Sequence, residues 1–184
     1  MITSHTLNAR RKQSGITLIE VSIGLIIAAI VAAAAFIAFQ NNARRTEVQD
    51  NIKQITEIIS ESKQKVGSTS GYIGYTEAVA AQLAILNVDG AGAPLPNSYN
   101  GNIVILGSAD GNTSTLQWNG VEGDQCSDIV LAVANGVTNI TSVGDGVVAG
   151  DVDVVNGQID LGDATTLCGG GDETIALTFT FGRR

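Results

Sequence analysis

"ITLIEVSIGLIIAAIVAAAAFIAF", residues 16–39, is an unbroken run of 24 residues with no proline and one charged side chain, Glu20. As an α-helix rising about 1.5 Å per residue, it spans roughly 36 Å, enough to cross a hydrocarbon core of about 30 Å. A cleavable secretory signal is the alternative, but its apolar core is only about 7–15 residues long and ends at a small-residue cleavage site. The run exceeds that length, and "FIAFQNNARR" offers no such site. The sequence therefore predicts a membrane-spanning helix over 16–39.

Basic residues flank this run on both sides. Arg10, Arg11 and Lys12 precede it, while Arg44 and Arg45 follow. The positive-inside rule therefore favours a cytoplasmic N-terminus only modestly. The acidic, cysteine-bearing remainder favours export of the C-terminal part.

Glu20 is the unusual residue of the run. A charged side chain within hydrocarbon costs at least about 2.5–3.5 kcal/mol on insertion scales, so it is expected to have a partner or a purpose. Because Glu20 lies only five residues into the run, an alternative is that it simply sits near the lipid headgroups. An isolated anchor would be more stable with leucine there.

The apolar run continues into an amphipathic segment without a helix breaker. In residues 40–66, Val48, Ile52, Ile55 and Ile59 step by 4, 3 and 4, which places them on one helical face. The helix is predicted to end near Gly67, where "GSTSG" supplies turn residues. We expect the stripe to pack against a C-terminal head; a coiled-coil dimer is the alternative.

Residues 67–184 are predicted to form a globular head built from short strands. "NIVIL" at 102–106 and "STLQW" at 114–118 flank a turn, and "TIALTFTF" at 174–181 alternates as a half-buried strand does. Asn156-Gly157 lies between two further alternating runs, which predicts a hairpin. The helical spacing of Ile129, Val130 and Val133 predicts a short helix from Cys126.

The composition excludes two functional classes. The one histidine, His5, precedes the apolar run, and no pair of carboxylates stands out, so an enzyme is not expected, nor is a cofactor. Beyond Val66 the chain has two basic residues against thirteen acidic, a net charge of −11. Direct nucleic-acid binding by the isolated subunit is not expected, because phosphate contacts need clustered Lys and Arg.

The junction "RRKQSG|ITLIE" at residues 10–20 resembles the processing site of type IV pilins and their type II secretion relatives. The resemblance rests on Gly15, Ile16, Thr17, Leu18 and Glu20, followed by the long apolar helix. It implies a leader peptide over 1–15, cleaved by a prepilin peptidase between Gly15 and Ile16, with N-methylation of the new Ile16 amine. It also implies the α+β type IV pilin fold, in which a long N-terminal helix packs on an antiparallel sheet.

The same resemblance implies assembly into a filament whose core is the packed apolar helices. Glu20 is then expected to pair with the Ile16 amine of a neighbouring subunit, with Thr17 and Leu18 beside it. The small residues at 28, 29 and 32–35 would let helices approach closely. The implied partners are further pilin subunits, the peptidase and the pilus assembly machinery. The implied location is the inner membrane, with the head in the periplasm, and then the cell surface.

Cys126 and Cys168 are an even pair in an exported context, which predicts a disulfide; two free buried thiols are the alternative. Pilins commonly close a C-terminal loop in this way. The large loop 126–168, the non-Phe residue Ile16 and the leader length resemble the type IVb group, which serves conjugation and adhesion.

Three alternatives remain open at this point. The aspartates at 145, 151, 153, 160, 163 and 172 match no EF-hand loop, so no metal site is predicted. Within the family, a minor pilin or a type II secretion pseudopilin would share the same N-terminus. Outside it, a membrane-tethered periplasmic binding domain would keep its leader and never polymerise.

Overall fold

The structure is a computed structural model that describes residues 17–144, 147–169 and 174–183. The chain forms two compact units, one ending at Ala43 and the other beginning at Arg44. Helix α1, Leu18–Ser62, begins in the first unit and ends in the second, where a π-helical turn, Lys63–Gly67, follows it. The predicted end of the helix near Gly67 is therefore confirmed.

The first unit consists, in its described part, of the apolar half of α1. Its large side chains are exposed, from Leu18 to Phe39. Within the described ranges, α1 with its π turn is the one helix long and apolar enough to cross a bilayer, judged by length and composition. A single helix with so large an apolar surface is unfavourable in water, so lipid or other helices are expected to cover it.

The second unit contains an antiparallel sheet. Its strands are β1 (Ile103–Gly107), β2 (Thr113–Glu122), β3 (Asn139–Gly144), β4 (Val147–Asp153) and β5 (Thr174–Gly182). Their order across the sheet is β1-β2-β5-β3-β4, so the last strand of the chain lies at the centre. The helices are the C-terminal half of α1, α2 (Glu77–Gln82), α3 (Gly123–Val133) and α4 (Leu161–Cys168).

The core lies between the helices and one face of the sheet. Alternate residues of the two central strands are buried: Leu116 and Trp118 of β2, and the series Ile175, Leu177, Phe179 and Phe181 of β5. They form one hydrophobic cluster with the buried stripe of α1, which consists of Val48, Ile55, Ile58 and Ile59, with Ile52 partly buried beside it. Packing of the stripe against the head is therefore confirmed.

Several predicted elements are confirmed. The runs at 102–106 and 114–118 form the antiparallel pair β1 and β2, and 174–181 lies within β5. The predicted helix at 126 exists as α3, but it begins three residues earlier, at Gly123. The whole arrangement is the α+β fold that the sequence predicted.

The predicted hairpin about Asn156-Gly157 is wrong in its second arm. The turn forms, with positive φ at both residues, but only Val155 and Gln158 pair across it. The chain then enters α4, because the Asp160 carboxylate accepts a hydrogen bond from the Asp163 backbone N–H at 2.7 Å and caps that helix. Helices α2 and α4 and strand β3 were not predicted.

Candidate functional site

The N-terminus of α1 is closed by a capping box formed by Thr17 and Glu20. Glu20 Oε2 accepts hydrogen bonds from the Thr17 backbone N–H at 3.3 Å and from Thr17 Oγ1 at 3.2 Å. In return, Thr17 Oγ1 accepts one from the Glu20 backbone N–H at 3.3 Å. The sequence spacing Thr-x-x-Glu is the signature of this motif, and it satisfies donors that the first helical turn otherwise leaves unpaired.

The capping box gives Glu20 a partner within its own chain. Its carboxylate lies in the first turn, where the helix dipole favours negative charge. This arrangement lowers the cost of placing the charge next to an apolar helix, before any neighbouring subunit is involved. Among the described residues, only Oε2 is engaged, and Oε1 makes no hydrogen bond. A carboxylate has about four acceptor positions, so the group retains capacity for a further donor.

Of the other site residues predicted at the N-terminus, Leu18 is described by the structure, and Gly15 and Ile16 are not. Leu18 is the first residue of α1 and its side chain is 88% exposed. Gly15 and Ile16, the predicted cleavage and methylation positions, lie outside the described residues.

Within the head, two buried polar pairs fix the second half of α1, and neither was predicted. Asn51 is fully buried and accepts a hydrogen bond from Trp118 Nε1 at 3.0 Å, while its own Nδ2 donates to the Glu47 carbonyl at 2.8 Å. At the last residue of α1, Ser62 Oγ and Tyr75 OH form a buried hydrogen bond of 2.6 Å. The signal was present in the sequence, because Asn51 and Ser62 lie at helical spacing within the apolar stripe.

Arg44 of α1 forms ion pairs with the last residue of β2 and the first turn of α3. Its guanidinium lies 2.6 Å from Asp124 Oδ2 and 3.4 Å from Glu122 Oε2. All three side chains are about half exposed, so solvent screens these ion pairs and each contributes roughly 0–1 kcal/mol. They orient the arginine more than they stabilise the fold.

The C-terminal end of the chain is held against the end of α1. Arg183 Nε donates to the Gly67 carbonyl at 3.1 Å, and the Tyr72 ring packs edge-on against Phe181 at 5.5 Å. Gly67 is required here, because a Cβ would clash with the Tyr72 ring. Burial raises the pKa of Tyr72 to about 12, the neighbouring Tyr75 adds to this, and the Arg183 charge opposes it.

Cys126 and Cys168 form the predicted disulfide, with their Cα atoms 5.5 Å apart. The bond joins α3 to the last residue of α4, and both sulfurs belong to the core. It therefore encloses β3, β4 and α4 in one covalent loop. In the part of the chain that is described, no three His, Cys, Asp or Glu side chains form a group that could hold a metal ion.

Two family models match the chain. One, described as "PilS N terminal", matches residues 45–180, and the other, described as "Prokaryotic N-terminal methylation motif", matches residues 10–36. The first covers well over half of the sequence. The chain therefore belongs to the PilS family of type IV pilins, whose members are structural subunits of pili and not enzymes.

Two solved structures are similar to this chain. The first is TcpA, a type IV pilin from Vibrio cholerae El Tor biotype, with 14% identity, a TM-score of 0.46, and coverage of 73% of this chain and 96% of that one. The second is a type IV b pilin from Salmonella typhi, with 19% identity, a TM-score of 0.47, and coverage of 74% and 98%. A comparison with curated protein sequences gave no match. The assignment to the family rests on the two family models.

Proposed function

We propose that this pilin is cleaved between Gly15 and Ile16 and that the new Ile16 amine, once methylated, pairs with Glu20 of a neighbouring subunit in the filament. The methylation motif over residues 10–36 supports processing at this junction. Processing leaves 169 residues with a net charge of −11. The precursor resides in the inner membrane with its head in the periplasm, and assembly moves it into a surface pilus of the type IVb kind.

The observation that carries this proposal is the unused acceptor capacity of the Glu20 carboxylate. Thr17 holds Oε2, while Oε1 accepts no hydrogen bond from the residues that the structure describes. An amine has an intrinsic pKa of about 7.7–8.0 and is largely cationic at neutral pH. At about 4 Å and an effective dielectric constant near 20, the attraction is roughly 4 kcal/mol before desolvation is subtracted. Burial of both ions removes much of this, so the pair acts chiefly to fix the axial register of subunits.

Three substitutions separate the capping role of Glu20 from its charge. Glu20→Gln keeps a capping side chain but loses the charge, because Gln also closes a capping box. Glu20→Ala loses both, and Thr17→Val loses the capping hydroxyl while it leaves the charge in place. If the ion pair drives assembly, Glu20→Gln and Glu20→Ala both reduce sheared surface filaments at least about tenfold, equivalent to about 1.4 kcal/mol per contact. Thr17→Val should retain most filaments.

The measurement is the ratio of sheared filament to membrane-bound pilin on immunoblots, with mass spectrometry of the mature N-terminus. Wild-type filament yield from Glu20→Gln would show that capping alone is the role of Glu20. An intact Met1 on filament subunits would contradict the processing step, and a protein that never leaves the membrane would favour the tethered-domain alternative. An abundance far below that of the main fibre protein would favour a minor pilin.

A further inference from the structure

Four Asn-Gly dipeptides lie in the head, and the structure places them in four different environments. They are Asn100-Gly101, Asn119-Gly120, Asn135-Gly136 and Asn156-Gly157. Asparagine followed by glycine is the sequence most prone to spontaneous deamidation, because glycine carries no side chain to hinder attack by its own backbone nitrogen. Ring closure also requires a free asparagine side chain, a free glycine N–H and a backbone able to rotate.

Two of the four dipeptides are held by hydrogen bonds. At Asn100-Gly101, the attacking group is engaged, because the Gly101 N–H donates to Asn97 Oδ1 at 2.8 Å. At Asn119-Gly120, the side chain is engaged: Asn119 Nδ2 donates to the Asn102 carbonyl at 2.8 Å, and Oδ1 accepts from Gln117 Nε2 at 3.1 Å. Asn119 also lies within strand β2, at an irregularity in its pairing with β5, and its backbone N–H donates to the Asn102 carbonyl at 3.4 Å.

The third dipeptide is held by its backbone conformation. Asn135-Gly136 belongs to the 3-10 turn Ala134–Gly136, and the Gly136 carbonyl accepts a hydrogen bond from Lys63 Nζ at 2.6 Å. Helical ψ values turn the following nitrogen away from the asparagine side chain, so the turn must open before the ring can close. The charged donor, Lys63 of the π-helical turn that follows α1, holds this 3-10 turn closed.

Among the described residues, Asn156-Gly157 is restrained only by the two backbone hydrogen bonds that close its turn. Its side chain is exposed, and among the described residues neither the Asn156 amide nor the Gly157 N–H makes a hydrogen bond. Both residues have positive φ, 55° and 75°, as in a tight two-residue turn. The turn is closed by a single pair, in which the backbones of Val155 and Gln158 exchange bonds of 3.1 and 3.2 Å. No strand ladder extends from it, so little has to break for its backbone to rotate.

We infer that Asn156 is a site of spontaneous covalent modification in the folded protein, through a succinimide formed with Gly157. The Gly157 nitrogen loses its proton to solvent base and attacks Asn156 Cγ. The new C–N bond forms as the Cγ–Nδ2 bond breaks, and the departing NH2 group takes a proton from solvent and leaves as ammonia. Water then adds to either ring carbonyl and opens it to aspartate or isoaspartate. No electrons are transferred, and the net change is the replacement of an amide by a carboxyl group.

The product places a negative charge and, in the isoaspartyl form, an additional backbone carbon at a packed junction. Gly157 lies against Asn135, whose Oδ1 is 2.7 Å from where a Cβ on Gly157 would stand. Asn135 precedes Gly136, whose carbonyl accepts the hydrogen bond from Lys63 of the π-helical turn. The modification therefore changes the surface where the 155–158 turn meets the 3-10 turn, and it accumulates with the age of the protein.

The test compares native and unfolded full-length protein in detergent, incubated at pH 7.4 and pH 9. Because no Lys or Arg lies between Lys65 and Arg183, chymotryptic peptides are analysed by mass spectrometry with fragmentation that distinguishes isoaspartate. In the native protein, Asn156 should convert at least about tenfold faster than the other three sites, since each of those is also held by a hydrogen bond that involves a side chain. The rate should rise with pH. After denaturation and reduction, all four should react at similar rates.

Asn156→Ser provides the matched control, because it removes the reactive amide and keeps a small polar residue in the turn. It should abolish most native-state conversion and leave the unfolded rates at the other sites unchanged. Faster native conversion at Asn100, Asn119 or Asn135 would overturn the inference. So would native conversion at Asn156 no faster than at those three. The outcome does not depend on filament assembly.

Discussion

At the scale of single residues, the informative positions are the polar ones within apolar surroundings. Glu20 is compensated within its own helix by Thr17, and Asn51 is compensated by Trp118 and the Glu47 carbonyl. Each of these polar groups is tolerated because a specific donor or acceptor meets it, since a buried polar group without a partner costs about 1–3 kcal/mol. Ser142 Oγ is the exception among the described residues: it is buried and has no partner, and nothing in the structure explains it.

Asn51→Leu should destabilise the head by about 1–3 kcal/mol, because it leaves the buried Trp118 N–H without an acceptor. Trp118 is the one tryptophan and is fully buried, so its fluorescence reports unfolding of the head directly. Urea unfolding of the full chain in detergent measures the change. Gln49→Leu, at an exposed position on the same helix, is the control and should have little effect. Equal stability of the two variants would show that the Asn51–Trp118 bond contributes nothing.

The three tyrosines should resist ionisation while the head is folded. Burial raises the pKa of Tyr72 to about 12, and burial also raises the pKa values of Tyr75 and Tyr99. In the unfolded chain, tyrosine loses its proton near pH 10, so between about pH 10 and 12 the unfolded state binds fewer protons and stability falls as pH rises. Tyrosinate absorbance should therefore appear together with the change in Trp118 fluorescence. A tyrosine titrating near pH 10 in folded protein would contradict this assignment.

At the scale of elements, regular periodicity was sufficient to predict α1, β1, β2, α3 and β5. In these elements the spacing of apolar residues matches one buried face. Strand β3 and helix α4 could not be predicted in this way. Strand β3, "NITSVG", buries only Ile140 and Ser142. Helix α4 depends on the Asp160 cap, and the sequence pattern of this short segment fits a strand as well as a helix. Short elements contain too few apolar positions for a period to be recognised.

Helices α3 and α4 should depend on the disulfide that joins them. The Cys126–Cys168 bond closes a separation of 42 residues, which corresponds to about 4 kcal/mol in the chain-entropy treatment. Cys126→Ser combined with Cys168→Ser should lower the free energy of unfolding by this order and reduce the melting temperature. The double variant is compared with reduced wild type by thermal unfolding. Unchanged stability in both would show that the loop is held by packing alone.

At the scale of the whole molecule, negative charge accumulates on the chain that the proposed processing at Gly15 leaves. That chain has a net charge of −11, and no basic residue lies between Lys65 and Arg183. Subunits placed side by side in a filament therefore repel one another through their surfaces. The ion pair proposed for Glu20 is buried and is screened little by salt, so the two effects respond differently to ionic strength.

Filaments should accordingly be least stable at low salt. The screening length falls from about 30 Å at 0.01 M to about 8 Å at 0.15 M ionic strength, which weakens repulsion between subunit surfaces. The pelletable fraction of sheared filaments should rise over this range, and sucrose at equal osmolality should not reproduce the increase. Dissociation promoted by salt would show instead that exposed ion pairs between subunits hold the fibre together.

The sequence alone determined the long apolar run, the amphipathic spine, the disulfide pair and the N-terminal motif, because each is a local pattern of residue type and spacing. The tertiary structure decided which strands are neighbours, and it placed β5, the last strand, at the centre of the sheet. It also decided that Asn51 accepts a hydrogen bond from Trp118, 67 residues further along the chain. It decided too that the Asn156-Gly157 turn is closed by one isolated pair, Val155 and Gln158, and not by two paired strands. Such contacts join residues distant in the chain, and their free energies depend on burial that exists only once the head has folded.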